Sequence, residues 1–263
     1  MVSAIILAGS RPGGDPVAES EGLSSKALVD IGGRTALDRV IDALEAAPVA
    51  RIVVAGPDGP VAEAAAARGL ETIAPAAGPS ESVARAFDLI GPPLLVTTAD
   101  HALLRPEWVR HFLTHAPADV DVAVMLAERG RVEEAIPGSK RTWLKFSDGH
   151  WSGCNLFLLR NANASRALAA WKQVEQDRKR PWRIARRIGP ITLIRYVLGR
   201  LSSEQAFARL GRSMGVSATV VSAPDGLAAL DVDSVADLEM VRAIVARQAG
   251  QGASPARPGP ACL

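Results

Sequence analysis

Short apolar runs alternate through the first half of the chain with stretches whose apolar residues recur every three or four positions. Residues 5–7, 51–55 (RIVVA), 93–98 (PLLVTT) and 120–126 (VDVAVML) are continuous apolar runs of the kind that form strands buried on both faces. Between the first two, Leu37, Val40, Ile41 and Leu44 share one helical face behind Thr35, whose hydroxyl suits an N-cap. Pro60 and Gly69 bracket the alanine-rich VAEAAAAR as a second helix, and Val83, Phe87 and Ile90 mark a third. Alternation of this kind predicts right-handed crossovers and an α/β fold with a doubly wound, mainly parallel sheet. Ligands of such sheets bind beyond the carboxyl ends of the strands, which directs attention to the loops after IILAG, RIVVA and LLVTT.

The second half has a different rhythm. RTWLKFSD and WSGCNLFLLR predict two strands around the turn DGH, followed by a helix-rich, basic insertion over 160–212. A strand, SATVVS, and an amphipathic helix carrying Val235, Leu238, Val241 and Ile244 close a single domain expected over 1–248. The remainder, 249–263, is rich in Gly, Pro and Ala and is expected to be disordered.

Composition narrows the function without naming it. With 263 residues and 48% hydrophobic content the chain can bury the core of an enzyme-sized domain. A formal charge of +2 gives no argument for nucleic acid as a partner. Two cysteines, Cys154 and Cys262, form neither a disulfide framework nor a metal cluster. The N-terminus lacks the basic and long apolar regions of a signal peptide, and no run approaches the roughly 18 apolar residues of a membrane span. A cytoplasmic location is the expectation.

The loop that follows the first strand, IILAGSRPGGDPVAESEGLSSKAL, matches neither G-x-x-x-x-G-K-[ST] nor G-x-G-x-x-G. It retains glycines that let backbone N–H groups approach phosphate, together with Arg11 and Lys26. A phosphate cradle and a surface loop with solvated cations fit these residues equally. Asp100 ends the strand VTTAD, where a carboxylate can hold a divalent ion on a triphosphate or merely cap a loop. Asp231 and Asp233, in DVDSVADL, either cap the last helix or converge with other acids. Converging carboxylates raise one another's pKa unless a cation is shared.

In this order, IILAG, Arg11, Lys26-Ala27-Leu28, a following GG, VTTAD and DVDSVADL resemble the MobA-like NTP transferases, nucleotidyltransferases of a glycosyltransferase-A-like α/β fold. The resemblance covers roughly residues 3–130 and 215–245. The family's first loop reads L-A-G-G-x-S-x-R-M-G-x-x-K. Here Ser10 replaces the second Gly, no Met follows the Arg, and the loop to Lys26 is longer, so Arg11 and Lys26 match by role and order.

The resemblance implies that Leu7, Ala8, Gly9 and Ser10 meet the base and ribose, with Gly78 and Ser82 of GPSESV also at the nucleobase. It places Arg11 and Lys26 on the triphosphate, and makes Asp100 the principal Mg²⁺ ligand. Asp233 matches the second metal carboxylate, with Asp231 as its rival. The implied reaction moves an NMP from an NTP, CTP or GTP, to a phosphorylated acceptor with loss of pyrophosphate. Alternatives are a molybdenum cofactor guanylyltransferase, a sugar transferase of the same architecture, and a non-catalytic nucleotide-binding module.

The acceptor side carries its own signals. Residues 178–200, RKRPWRIARRIGPITLIRYVLGR, hold eight basic and no acidic residues among large apolar ones. Such a stretch can lie peripherally on an anionic membrane surface, on its inner face, or admit a lipid phosphate. It can equally pack an apolar face on the core. Asn155 in WSGCNLFLL, and Lys145 with Arg141 on a shared face of the preceding strand, are candidates for holding the acceptor. A phosphorylated small molecule or lipid is the expected acceptor.

Overall fold

The structure is a computed structural model and describes residues 1–9, 14–138, 141–176 and 189–252. Its strands are β1 (Val2–Leu7), β2 (Val49–Ala55), β3 (Glu71–Ile73), β4 (Leu94–Thr98), β5 (Val122–Glu128), β6 (Leu144–Phe146), β7 (Gly149–Leu159) and β8 (Ala218–Ser222). The first six helices are α1 (Pro16–Ser20), α2 (Ala36–Glu45), α3 (Pro60–Ala67), α4 (Pro79–Ile90), α5 (Pro106–His115) and α6 (Arg129–Ala135). They are followed by α7 (Ala164–Gln176), α8 (Pro190–Val197), α9 (Ser203–Met214) and α10 (Val235–Gly252).

One sheet runs in the order β3-β2-β1-β4-β7-β5-β8, with β6 paired to β7. The pairs β1–β2, β1–β4, β2–β3 and β5–β8 are parallel, whereas β7 runs antiparallel to β4, β5 and β6. The doubly wound, mostly parallel α/β sheet expected from the alternation is present, with β7 as its reversed strand.

Strand pleat explains why helices cover both faces. Along β1, Ala4 and Ile6 join the core beneath α2, α5 and α10, while Ile5 joins the core beneath α4 and α7. On β5, Ala123 and Met125 take the first side and Val122 the second. Strands buried on both sides need no polar alternation, which is why they read as apolar runs. The helix capped by Thr35 forms as expected, with its Oγ1 accepting from Asp38 N at 3.0 Å.

Elements without a sequence expectation are α1, β3, α5 and α6. The last helix runs to Gly252, past the position where the tail was expected to begin, and the rest of that tail, 253–263, lies outside the described residues. Among the described residues no helix is long and apolar enough to cross a membrane.

At the end of the sheet away from the first loop, Asp121 ties three segments together. Its Oδ2 accepts from Ser217 N at 2.7 Å and Ser217 Oγ at 2.9 Å, and its Oδ1 from Asn161 Nδ2 at 2.8 Å. The Ser217 backbone bond, aided by the Asn161, Ser217 and Asn163 side chains, pushes its pKa down to about 2. A depressed folded pKa means that this stabilisation is full above the ordinary Asp value and is lost as the pH falls towards 2. Asp121→Ala is expected to cost about 1–3 kcal/mol at neutral pH. In thermal melts, the gap to the wild type should close as the pH falls through that acidic window.

Candidate active site

The sheet order places the candidate residues. Chain direction carries β2 and β3 to one side of β1 and β4 to the other, so the β1 and β4 ends flank a topological switch point. Leu7 ends β1 and Ala8 and Gly9 follow it, with Ala8 N donating to Ala55 O at 2.8 Å and Ala99 N donating to Leu7 O at 2.9 Å. Asp100 follows β4 at the same end. Ser10 and Arg11 lie outside the described residues.

Lys26 reaches this point from a short 3₁₀ turn, Lys26–Leu28, capped by Ser25 and fixed by buried Ala27. Its Nζ stands 2.6 Å from Asp100 Oδ2 and 2.9 Å from Asp233 Oδ1, and donates to Val232 O at 3.1 Å. Asp15, which caps α1 by accepting from Val17 N at 3.0 Å, turns its other oxygen to within 3.9 Å of Nζ. Three carboxylates around one ammonium leave a local excess of negative charge. Burial opposes the charge on Lys26, but Asp100 and Asp233 outweigh it and hold the pKa above the ordinary lysine value.

Asp100 and the segment 231–233 are joined through the backbone, because Val232 N donates to Asp100 O at 3.0 Å. Leu230 and Val232 are buried, so Asp231 and Asp233 emerge on the opposite side of this alternation. Asp100, Asp231 and Asp233 each offer an oxygen within 4.8 Å of the others. Asp100 is 9% exposed, burial raises its pKa against the pull of Lys26, and its Oδ1 has no hydrogen-bond partner among the described residues. An unpartnered, buried carboxylate oxygen beside two further carboxylates suits a hard divalent cation.

The rival carboxylates have different surroundings. Arg141 forks onto Asp231, with Nη1 on Oδ1 and Nη2 3.4 Å from the Asp231 carbonyl oxygen. Asn155 Nδ2 donates to Asp231 Oδ2 at 2.8 Å. Burial alone would raise the Asp231 pKa, but the Arg141 bond and charge, with the Asn155 bond, hold it below the ordinary value. Asp233 instead faces Lys26 with its side chain 46% exposed.

Asn155 adopts φ +49°, and the β5 register shifts opposite residues 154–156, so a bulge in β7 turns the amide towards Asp231. Asn155 and Arg141, read from sequence as acceptor candidates, thus both meet Asp231. Lys145 lies exposed on β6, and Arg141 precedes that strand rather than sharing it, because pairing with β7 begins only at Leu144.

Gly78 and Ser82 lie at the start of α4. Ser82 Oγ donates to Gly78 O at 3.1 Å and accepts from Ala76 N at 2.9 Å, folding the loop onto the helix. A Cβ on Gly78 would collide with the Glu175 carboxylate, which also accepts from Ser80 Oγ at 2.5 Å. His101, next to Asp100, is buried against Trp108. Burial takes its pKa to about 4, so it is neutral at pH 7. Asp15 and the Arg141 clamp were not anticipated. The Asp-Pro pair at 15–16 is a helix-cap pattern that could have been read, but nothing local points to its approach to Lys26.

A family model described as MobA-like NTP transferase domain matches residues 4–191. A hypothetical transferase from Thermus thermophilus is 34% identical, with a TM-score of 0.79 over 90% of this chain and 98% of that one. A CMP:2-keto-3-deoxy-manno-octonic acid synthetase complexed with CTP shares the fold at 19% identity and a TM-score of 0.61, over 94% of this chain and 99% of that one. The 2-C-methyl-D-erythritol 4-phosphate cytidylyltransferase of Thermus thermophilus also shares it, at 19% identity and a TM-score of 0.55, over 94% and 100% of the two chains. No curated protein matches the chain.

Proposed function

The chain belongs to the MobA-like NTP transferase family of nucleotidyltransferases, and we propose that it transfers an NMP from an NTP to a phosphorylated acceptor with release of pyrophosphate. The observation that carries this reading is the meeting of Lys26, Asp100 and Asp233 at the β1–β4 switch point. CTP is the favoured nucleotide, ahead of GTP, because two proteins that share the fold are a CTP complex and a cytidylyltransferase.

Phosphoryl chemistry of this kind asks a protein mainly to position anions and to offset developing charge. Lys26, charged at neutral pH, donates to the triphosphate, and Arg11 adds a second cation from the first loop. Asp100 and Asp233 are the residues to hold magnesium, which would neutralise the triphosphate and the leaving pyrophosphate. Asp231 serves as their anchor. The ends of β1 and the start of α4, with Leu7, Ala8, Gly9, Ser10, Gly78 and Ser82, form the base and ribose contacts. An acceptor phosphate is ionised at neutral pH and attacks the α-phosphorus without a general base. The acceptor is a phosphorylated small molecule or a lipid phosphate.

Incubation with each NTP, Mg²⁺ and a panel of phosphorylated metabolites and lipids should release pyrophosphate, most with CTP. Nucleotide binding without pyrophosphate under every condition would refute the transfer.

A further inference from the structure

We propose that the outer face of α8 is a docking surface for an anionic lipid bilayer. Eight large hydrophobic residues are exposed among the described residues, and four of them, Leu193, Ile194, Val197 and Leu198, fall within six consecutive positions. Ile194, Val197 and Leu198 are 57%, 74% and 58% exposed and stand at the i, i+3, i+4 spacing of one helical face. Elsewhere such residues are single and dispersed, as on any soluble surface, so this cluster calls for a partner.

The opposite face explains why the helix stays put. Thr192 is buried on it, Tyr196 Oη accepts from Lys145 N at 3.3 Å, and its ring meets Phe146 edge-on at 5.7 Å, while Leu201 is buried just beyond the helix. The helix is thus seated on the β6–β7 hairpin by one face, and its apolar outer face is held away from the core.

Charge selects the partner. Arg195 lies on the same helix and exposed Arg200 just beyond it, with exposed Lys145 on the adjoining strand. Residues 189–200 contain no acidic residue. An apolar helical face flanked by guanidinium groups matches acyl chains beneath anionic headgroups, and each basic side chain adds attraction that salt weakens. This docking stands apart from the transfer reaction and is measured without turnover.

Flotation with vesicles of phosphatidylcholine containing about 30% phosphatidylglycerol tests it, against phosphatidylcholine alone. The full chain should bind the anionic vesicles and release when salt rises from about 0.1 to about 0.5 M. The triple variant Ile194→Ser, Val197→Ser, Leu198→Ser should bind at least about tenfold more weakly. Its CTP affinity and melting temperature should be unchanged, because these side chains touch neither core nor candidate site. Arg195→Gln with Arg200→Gln should retain the apolar contact and show weaker salt dependence. Absence of wild-type binding, or equal binding by the triple variant, overturns the proposal. So does a wild-type dimer that the triple variant converts to monomer without vesicle binding, which would make a second copy the occupant.

Discussion

Asp100→Asn is expected to lower the rate of pyrophosphate release by about 10²–10³-fold, with the fold intact. The substitution preserves shape and removes only the charge, so the loss reports electrostatics rather than packing. Asp100 is the most enclosed carboxylate of the cluster, with Lys26 on one oxygen and no partner among the described residues on the other. Burial raises its pKa, so the folded state carries its negative charge at a cost. Neutralising it removes that cost at neutral pH but also takes one carboxylate from the enclosed Lys26, which keeps Asp233, so the melting temperature should change little. Activity would fall far more than stability, a combination that separates a functional carboxylate from a structural one. Asp233→Asn, at a half-exposed position with weaker focusing of charge, should lose less. Full activity in Asp100→Asn would remove this residue from the site.

The fold was legible where burial was symmetrical. β1, β2, β4 and β5 are covered on both faces, so their apolar runs stood out, and Thr35 and Pro60 punctuated the helices between them. β3 was not legible, because three edge residues with only Ile73 partly buried leave no pattern. α5 buries just Trp108, Val109 and Phe112, too few to establish a period by themselves. The place of Asp100 was legible because a residue at the carboxyl end of a central strand lies on the ligand side of the sheet. The choice between Asp231 and Asp233 was open because their neighbours come from distant segments. Arg141 is 90 positions from Asp231, and the bulge that turns Asn155 towards it arises from β5–β7 register, which no local pattern encodes.

Arg141→Met is expected to destabilise the protein by about 3–5 kcal/mol, because it leaves the Asp231 carboxylate mostly buried without its cation. The pair is well enclosed, with side chains 13% and 16% exposed, so solvent cannot replace the guanidinium. Asn155 would still donate one hydrogen bond to Asp231, yet an uncharged donor offsets little of the desolvation. The damage should also reach the reaction. Asp231 and Asp233 flank Val232, whose N–H is bonded to Asp100, so a shift of Asp231 would draw Asp233 out of register with Lys26 and Asp100.

Adding Asp231→Asn to Arg141→Met removes the stranded charge and should recover much of the stability, giving a large coupling in a double-mutant cycle. The double variant then decides what Asp231 does. If it is an anchor, Mn²⁺ affinity and pyrophosphate release should return with stability. If Asp231 is itself a metal ligand, stability should return while Mn²⁺ binding stays weak, and the metal pair would have to be reassigned from Asp100 and Asp233 to Asp100 and Asp231.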